Sequence, residues 1–200
     1  MKTAFTLLAL TLVAGTAIAA SVGQPAPAFA ATDASGKPVS LADFKGRTVV
    51  LEWVNPECPY VRKHYDSANM QATQKAATAK GVVWLAVNST HAGHVDFKQP
   101  VEMTAWTRQQ GAVPTATLMD GAGKIGRAYG ARTTPHMYVI DATGTLVYAG
   151  GIDDRPSANP ADVKSAKNLV NAALADVLAG KPVAQAQTRP YGCSVKYADG

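Results

Sequence analysis

Cysteine is nearly absent from this chain. Cys58 and Cys193 are its two thiols among 200 residues, so at most one internal disulfide can form. A local Cys-x-x-Cys pair is excluded as well, because Val61 stands three residues after Cys58. Charge is also sparse, at 16% of residues, and the formal net charge of +5 is scattered. Arg62-Lys63 is the one adjacent basic pair, which leaves no footprint for nucleic acid. Long apolar runs are confined to the segment from Ala4 to Val13, and nothing later is apolar enough to span a bilayer. No internal repeat or heptad pattern is present.

Met1-Lys2-Thr3, the apolar run and the small residues Ala17-Ile18-Ala19 together read as a secretory signal peptide over residues 1–19. The expected product is periplasmic or secreted. It comprises one domain over residues 20–180 and a tail over 181–200 that carries Cys193. Loss of Lys2 lowers the net charge from +5 to +4. In an oxidising compartment the two cysteines are able to hold a disulfide, either as a static bridge or as a redox-active pair.

The stretch from Val49 to His64 carries the chemistry. β-Branched and aromatic residues through Val54 predict a buried strand, and Asn55-Pro56 a turn. Pro59 suits the first turn of a helix, where its missing N–H would be unpaired anyway. A thiol at that junction faces free N–H groups and the positive end of the helix dipole, and both favour the thiolate. Arg62, Lys63 and His64 add positive potential. The competing reading of Cys58 is a small buried hydrophobe.

Around this stretch the pattern predicts a hairpin over 29–41, strands over 82–87 and 115–119, and a second hairpin over 137–149. Helices are expected over 59–79, 101–110 and from 159 or 160 to 179, with a short one before Tyr129. This order is that of an α/β fold with a central mixed sheet flanked by helices and an N-terminal β-hairpin.

Cys58-Pro59-Tyr60-Val61 after its strand, Thr133-Thr134-Pro135 before another, and the terminal Gly192-Cys193-Ser194-Val195-Lys196 together resemble a thioredoxin-like fold. More narrowly, they resemble the peroxiredoxin-like redoxin family, related to AhpC/TSA and TlpA-type proteins. The resemblance implies that Pro135 is a cis-proline facing the cysteine loop, and that the backbone of Thr134 pairs with a bound partner's chain. Peroxiredoxins carry Thr or Ser three residues before the cysteine and Pro seven before. Here Asn55 and Leu51 occupy those places.

Three functions follow. The first is a thiol–disulfide oxidoreductase with Cys58 as nucleophile and Cys193, on a swinging tail, as resolving cysteine. The second is a thiol peroxidase, for which Arg132 is the one visible peroxide-polarising residue. The third is a non-catalytic module whose disulfide pins the tail. The expected partners are a protein or small-molecule disulfide or peroxide and a redox partner protein. No cofactor is expected. His91 and His94, or Cys58 with His64, give no full metal-ligand set. His136 either lies near Cys58 or points into packing, and Asp153-Asp154 read as a turn without chemistry.

Overall fold

A computed structural model of the chain describes residues 20–198, so the expected signal segment, residues 1–19, lies outside the described residues. Two strands form the centre. β3 (Val49–Trp53) and β4 (Val83–Asn88) are buried at every position, as an unbroken apolar run predicts for strands covered on both faces. They pair in parallel, Val49 with Val83 through Trp53 with Val87. Alternation along β3 sends Val49, Leu51 and Trp53 to one face and Val50 and Glu52 to the other.

The remaining strands add outward from this pair. β5 (Ala116–Met119) lies parallel to β4 and antiparallel to β1 (Ala30–Asp33), which forms the expected hairpin with β2 (Pro38–Ser40). On the other side, β7 (His136–Ile140) runs antiparallel to β3 and to β8 (Leu146–Gly150). The sheet order is β2-β1-β5-β4-β3-β7-β8. Two short strands, β6 (Thr133–Thr134) and β9 (Cys193–Ser194), pair with each other outside this sheet.

Helices α1 (Pro59–Asp66), α2 (Asn69–Thr78) and α5 (Leu169–Leu178) cover one face, with Val61, Met70, Ala77, Val170 and Leu174 packed on Val50, Trp84 and Val139. Helix α4 (Lys124–Tyr129) and the N-terminal segment cover the other, where Ile125 and Tyr129 meet Leu51, Trp53 and Tyr138. α3 (Pro100–Gln109) contributes Met103 to the first core. Among the described residues no helix is long and apolar enough to cross a membrane.

Two expected helices are each divided. The helix expected over 59–79 breaks at Ala68, which adopts left-handed φ +58°, and the Tyr65 carbonyl accepts from the Ala68 N–H at 3.0 Å and from the Gln71 side chain at 2.9 Å. Asp66, Ser67 and Asn69 compete for the backbone here, which weakens a continuous helix. The helix expected to 179 is a 3-10 turn over Pro160–Ser165, an extended link, and α5, whose cap Asn168 accepts from the Asn171 N–H at 2.8 Å.

The tail also differs from a swinging arm. It is laid down as an extended strand: Ala149 N–H donates to Ala186 O, Thr188 N–H to Ala149 O, and Val195 N–H to Arg132 O, at 3.0–3.1 Å. Backbone pairing with β8 and β6 holds a segment whose composition alone suggested freedom.

The left-handed alanine gives a direct test. Ala68 is exposed, and glycine relieves the steric cost of its conformation. Ala68→Gly is expected to stabilise the fold by about 0.5–1 kcal/mol in urea unfolding, against the usual destabilisation by glycine near a helix.

Candidate active site

Cys58 closes the turn that the sequence places between β3 and α1. It is the N-cap of α1, with Pro59 first in the helix, and its carbonyl accepts from Val61 and Arg62 N–H at 3.0 and 2.9 Å. Asn55 shapes the turn: its side-chain oxygen accepts from Glu57 N–H at 2.9 Å and its amide donates to Asp96 at 3.0 Å. The Cys58 thiol is 2% exposed and donates to the Thr134 carbonyl at 3.0 Å.

The structure brings all four sequence-singled residues together. The Thr134–Pro135 peptide is cis. Thr134 pairs antiparallel with Cys193, and the sulfurs of Cys58 and Cys193 stand 2.6 Å apart. Burial, followed by its hydrogen bond to Cys58, pushes the Cys193 thiol up to about 12. Thr134 is itself buried, and its hydroxyl makes no hydrogen bond.

The other residues singled out in the sequence have different surroundings. Arg132 is exposed. His136 points into packing, with its ring 4.5 Å from that of Tyr138, whose face of the sheet is opposite the core that includes Cys58. Burial and the nearby Arg132 charge lower His136 to about 4. His91 and His94 spend Nδ1 on the loop N–H groups of Gly93 and Asp96. Among the described residues no group of three or more His, Cys, Asp or Glu is placed to hold a metal.

Sequence reasoning missed a buried charged cluster beside the cysteines. Lys63, His64 and Asp153 are at most 3% exposed, and Lys63 Nζ lies 3.1 Å from Asp153 and 2.6 Å from the Arg155 carbonyl. Tyr191, two residues before Cys193, gives its hydroxyl proton to Asp153. Its oxygen then accepts from His64 Nε2 at 3.1 Å and Lys63 at 3.3 Å, while Asn69 donates to His64 Nδ1 at 2.8 Å. This network assigns His64 as the neutral Nε2–H tautomer. Burial lowers its pKa to about 4, against the opposing charge of Asp153 and reinforced by Lys63. Nothing local joins Lys63 to a carboxylate 90 residues away.

Glu52 is the second omission, and here a signal existed: a carboxylate inside an apolar run. It is fully buried and accepts from Tyr65 and Trp84 at 2.7 Å and from Gln74 at 3.1 Å. Burial raises its pKa despite those three donors.

Residues 22–149 match the AhpC/TSA family. The chain belongs to that family. Among curated relatives, the thiol-disulfide oxidoreductase ResA of Bacillus thuringiensis subsp. konkukian is 28% identical over 133 residues, covering 63% of this chain and 67% of that protein. An uncharacterized conserved protein of Geobacillus kaustophilus aligns with TM-score 0.76 and 29% identity over 90% of this chain and 94% of its own. A structure described as a candidate thiol:disulfide interchange protein DsbE, from Chlorobium tepidum, aligns with TM-score 0.54 and 26% identity over 66% of this AhpC/TSA-family chain and 85% of its own. The fold is thioredoxin-like.

Two predictions follow from the buried groups. His64 and His136 both fall from 6.5 to about 4, so the unfolded chain takes up their protons first. Their stabilising effect is complete above pH 6.5 and is lost as pH falls through 4. Glu52, raised, acts in the opposite direction, so the measurement is a difference. Between pH 6.5 and 4, His136→Gln is expected to lose less stability than the parent chain, by about 3 kcal/mol in urea unfolding. Asp153→Ala leaves Lys63 charged without its carboxylate and is expected to cost about 3–5 kcal/mol in the same assay.

Proposed function

We propose that the chain is an exported thiol–disulfide oxidoreductase whose redox pair is Cys58 and Cys193. The observation that carries this reading is the seating of Cys193 opposite Thr134, with its sulfur 2.6 Å from that of Cys58. The pair needs no rearrangement of the chain to bond. In the reducing direction, Cys58 sulfur attacks a partner disulfide and one partner sulfur leaves as thiolate. Cys193 then gives up its proton and attacks the mixed disulfide at Cys58. The second partner thiolate leaves, and Cys58–Cys193 is left oxidised. Two electrons pass to the partner, and a redox partner protein returns them by the reverse exchange.

Thr134 and Pro135 supply the backbone against which the partner strand docks. ResA and the DsbE-type neighbour, named for disulfide exchange, support this chemistry over a peroxidase. Residues 1–19, read as a secretory signal, would deliver the chain to an oxidising compartment.

A redox titration of the mature chain, with mass spectrometry of the linked peptides, tests the proposal. A Cys58–Cys193 bond with a potential above about −300 mV is expected, with exchange activity lost in Cys58→Ser and Cys193→Ser. A much lower potential would mark a static bridge, and the absence of a bond would remove Cys193 from the mechanism.

A further inference from the structure

The groove beside Cys58 is already filled, and its filling shows what it accepts. The tail strand lies in it with Cys193 opposite Thr134, and three consecutive residues meet the groove differently. At Gly192, with φ +134°, an added Cβ would come 2.1 Å from the Thr134 carbonyl oxygen, so that place takes glycine. At Tyr191 the phenol completes the Lys63–His64–Asp153 cluster, with its ring 5.3 Å below the Lys63 ammonium and in edge contact with Tyr60 at 5.9 Å. At Cys193 the sulfur meets Cys58.

The two halves of this contact are unequal. Lys63, His64, Asp153, Cys58 and Thr134 are all buried, whereas no described residue of 181–198 is. A cleft of about 720 Å³, lined by Thr133, Asp153, Lys167, Thr188, Tyr191 and Gly192, runs beside the strand. The tail is therefore held at discrete anchors rather than by continuous packing. Cys58, 2% exposed with the tail in place, meets no outside sulfur until the tail lifts. A strand that then pairs with Thr134 in the same register puts its preceding residue against the Thr134 carbonyl, and the residue before that at the charged cluster.

We propose that this groove is a sequence-reading site for a separate polypeptide carrying a Tyr-Gly-Cys segment in extended form, and that the chain's own tail occupies it in the resting state. The inference rests on Cys58 being the exchanging thiol and names the class of partner it exchanges with. Phenol recognition follows from hydrogen-bond accounting. A phenylalanine in the same place removes one of the three donors to Asp153, leaving Lys63 and the Arg155 N–H, and takes the acceptor from His64 Nε2–H. A site built around a hydroxyl discriminates against the analogue that lacks it.

The test uses the full chain carrying Cys193→Ser and Tyr191→Ala, which removes the resident thiol and phenol and weakens the hold on the resident strand. Nonapeptides of sequence Arg-Pro-Tyr-Gly-Cys-Ser-Val-Lys-Tyr are supplied as mixed disulfides with thionitrobenzoate. Cys58 sulfur attacks the peptide sulfur, the peptide–Cys58 disulfide forms, and thionitrobenzoate leaves as a coloured thiolate. Two further peptides carry phenylalanine for the tyrosine or alanine for the glycine. Each is expected to react more slowly by about 10-fold or more. With the parent peptide, the double variant is expected to outpace Cys193→Ser alone.

Equal rates for the three peptides would overturn the recognition while leaving the redox titration of the parent pair untouched. No reaction with any peptide, together with no disulfide in the parent chain, would overturn the exchange reading and this inference with it. Should the double variant lack a native circular dichroism spectrum, Cys193→Ser with Tyr191→Phe keeps the ring and carries the same comparison.

Discussion

The buried ion pair of Lys63 and Asp153 governs how the rest of the site is built. Two charges withdrawn from water are tolerated only when their remaining donors and acceptors are satisfied. The Arg155 carbonyl takes one ammonium proton, and Asp153 lies 3.1 Å from the same Nζ. The last partner comes from the tail, as the Tyr191 hydroxyl. A desolvation problem in the body of the fold is thus solved by a residue two positions from the second cysteine. The position of Cys193 and the comfort of a buried lysine are consequently one structural fact.

The first cysteine is placed by different physics. β3 is fixed on both sides by parallel and antiparallel neighbours, and its end feeds directly into α1. Asn55 holds the intervening turn through its side chain, so Cys58 is positioned by strand pairing and helix start together. Lys63 and His64 sit one to two turns further along the same short helix, while Glu52 is secured below by Trp84, Tyr65 and Gln74. Rigid elements therefore supply one sulfur, and a surface strand supplies the other.

Much of this was legible in the sequence, for reasons that can be named. The central strands announced themselves because burial on both faces demands apolar runs, and Cys58 was marked by the strand–turn–proline grammar around it. The Thr134–Pro135 and Gly192-Cys193 positions were found through their order and resemblance rather than through any local rule. The division of the helices at Ala68 and at 166–168 was not read, although Asp66, Ser67 and Asn69 marked the first, because the surrounding alanine-rich sequence favours continuation; Gln71 and Asn168 stabilise the breaks. Lys63 was read only as positive potential beside Cys58, and Asp153 as part of a turn, because a pairing across 90 residues leaves no trace in spacing. The tail was read as a tether from its Gln, Pro and Gly content, but composition is silent about backbone pairing to β8 and β6.

Seating the second cysteine on an anchored strand, instead of three residues along the helix, changes what tunes the proposed disulfide. In a Cys-x-x-Cys turn the two sulfurs are kept close by the helix itself. Here 135 residues separate them, and closing a loop of that length would cost the free chain about 5 kcal/mol of conformational entropy. In the reduced fold that cost is already met by Tyr191, by the β6–β9 pairing and by Tyr197, whose hydroxyl donates to the Ala131 carbonyl at 2.8 Å. Preorganisation of this kind favours bond formation. Each anchor that steadies Cys193 therefore makes the oxidised pair more stable and the reduced pair a stronger donor of electrons. The same anchor slows any partner that must lift the tail to reach Cys58. Driving force and access are set in opposition by one set of contacts, and the tyrosine beside the second cysteine is where that balance is struck.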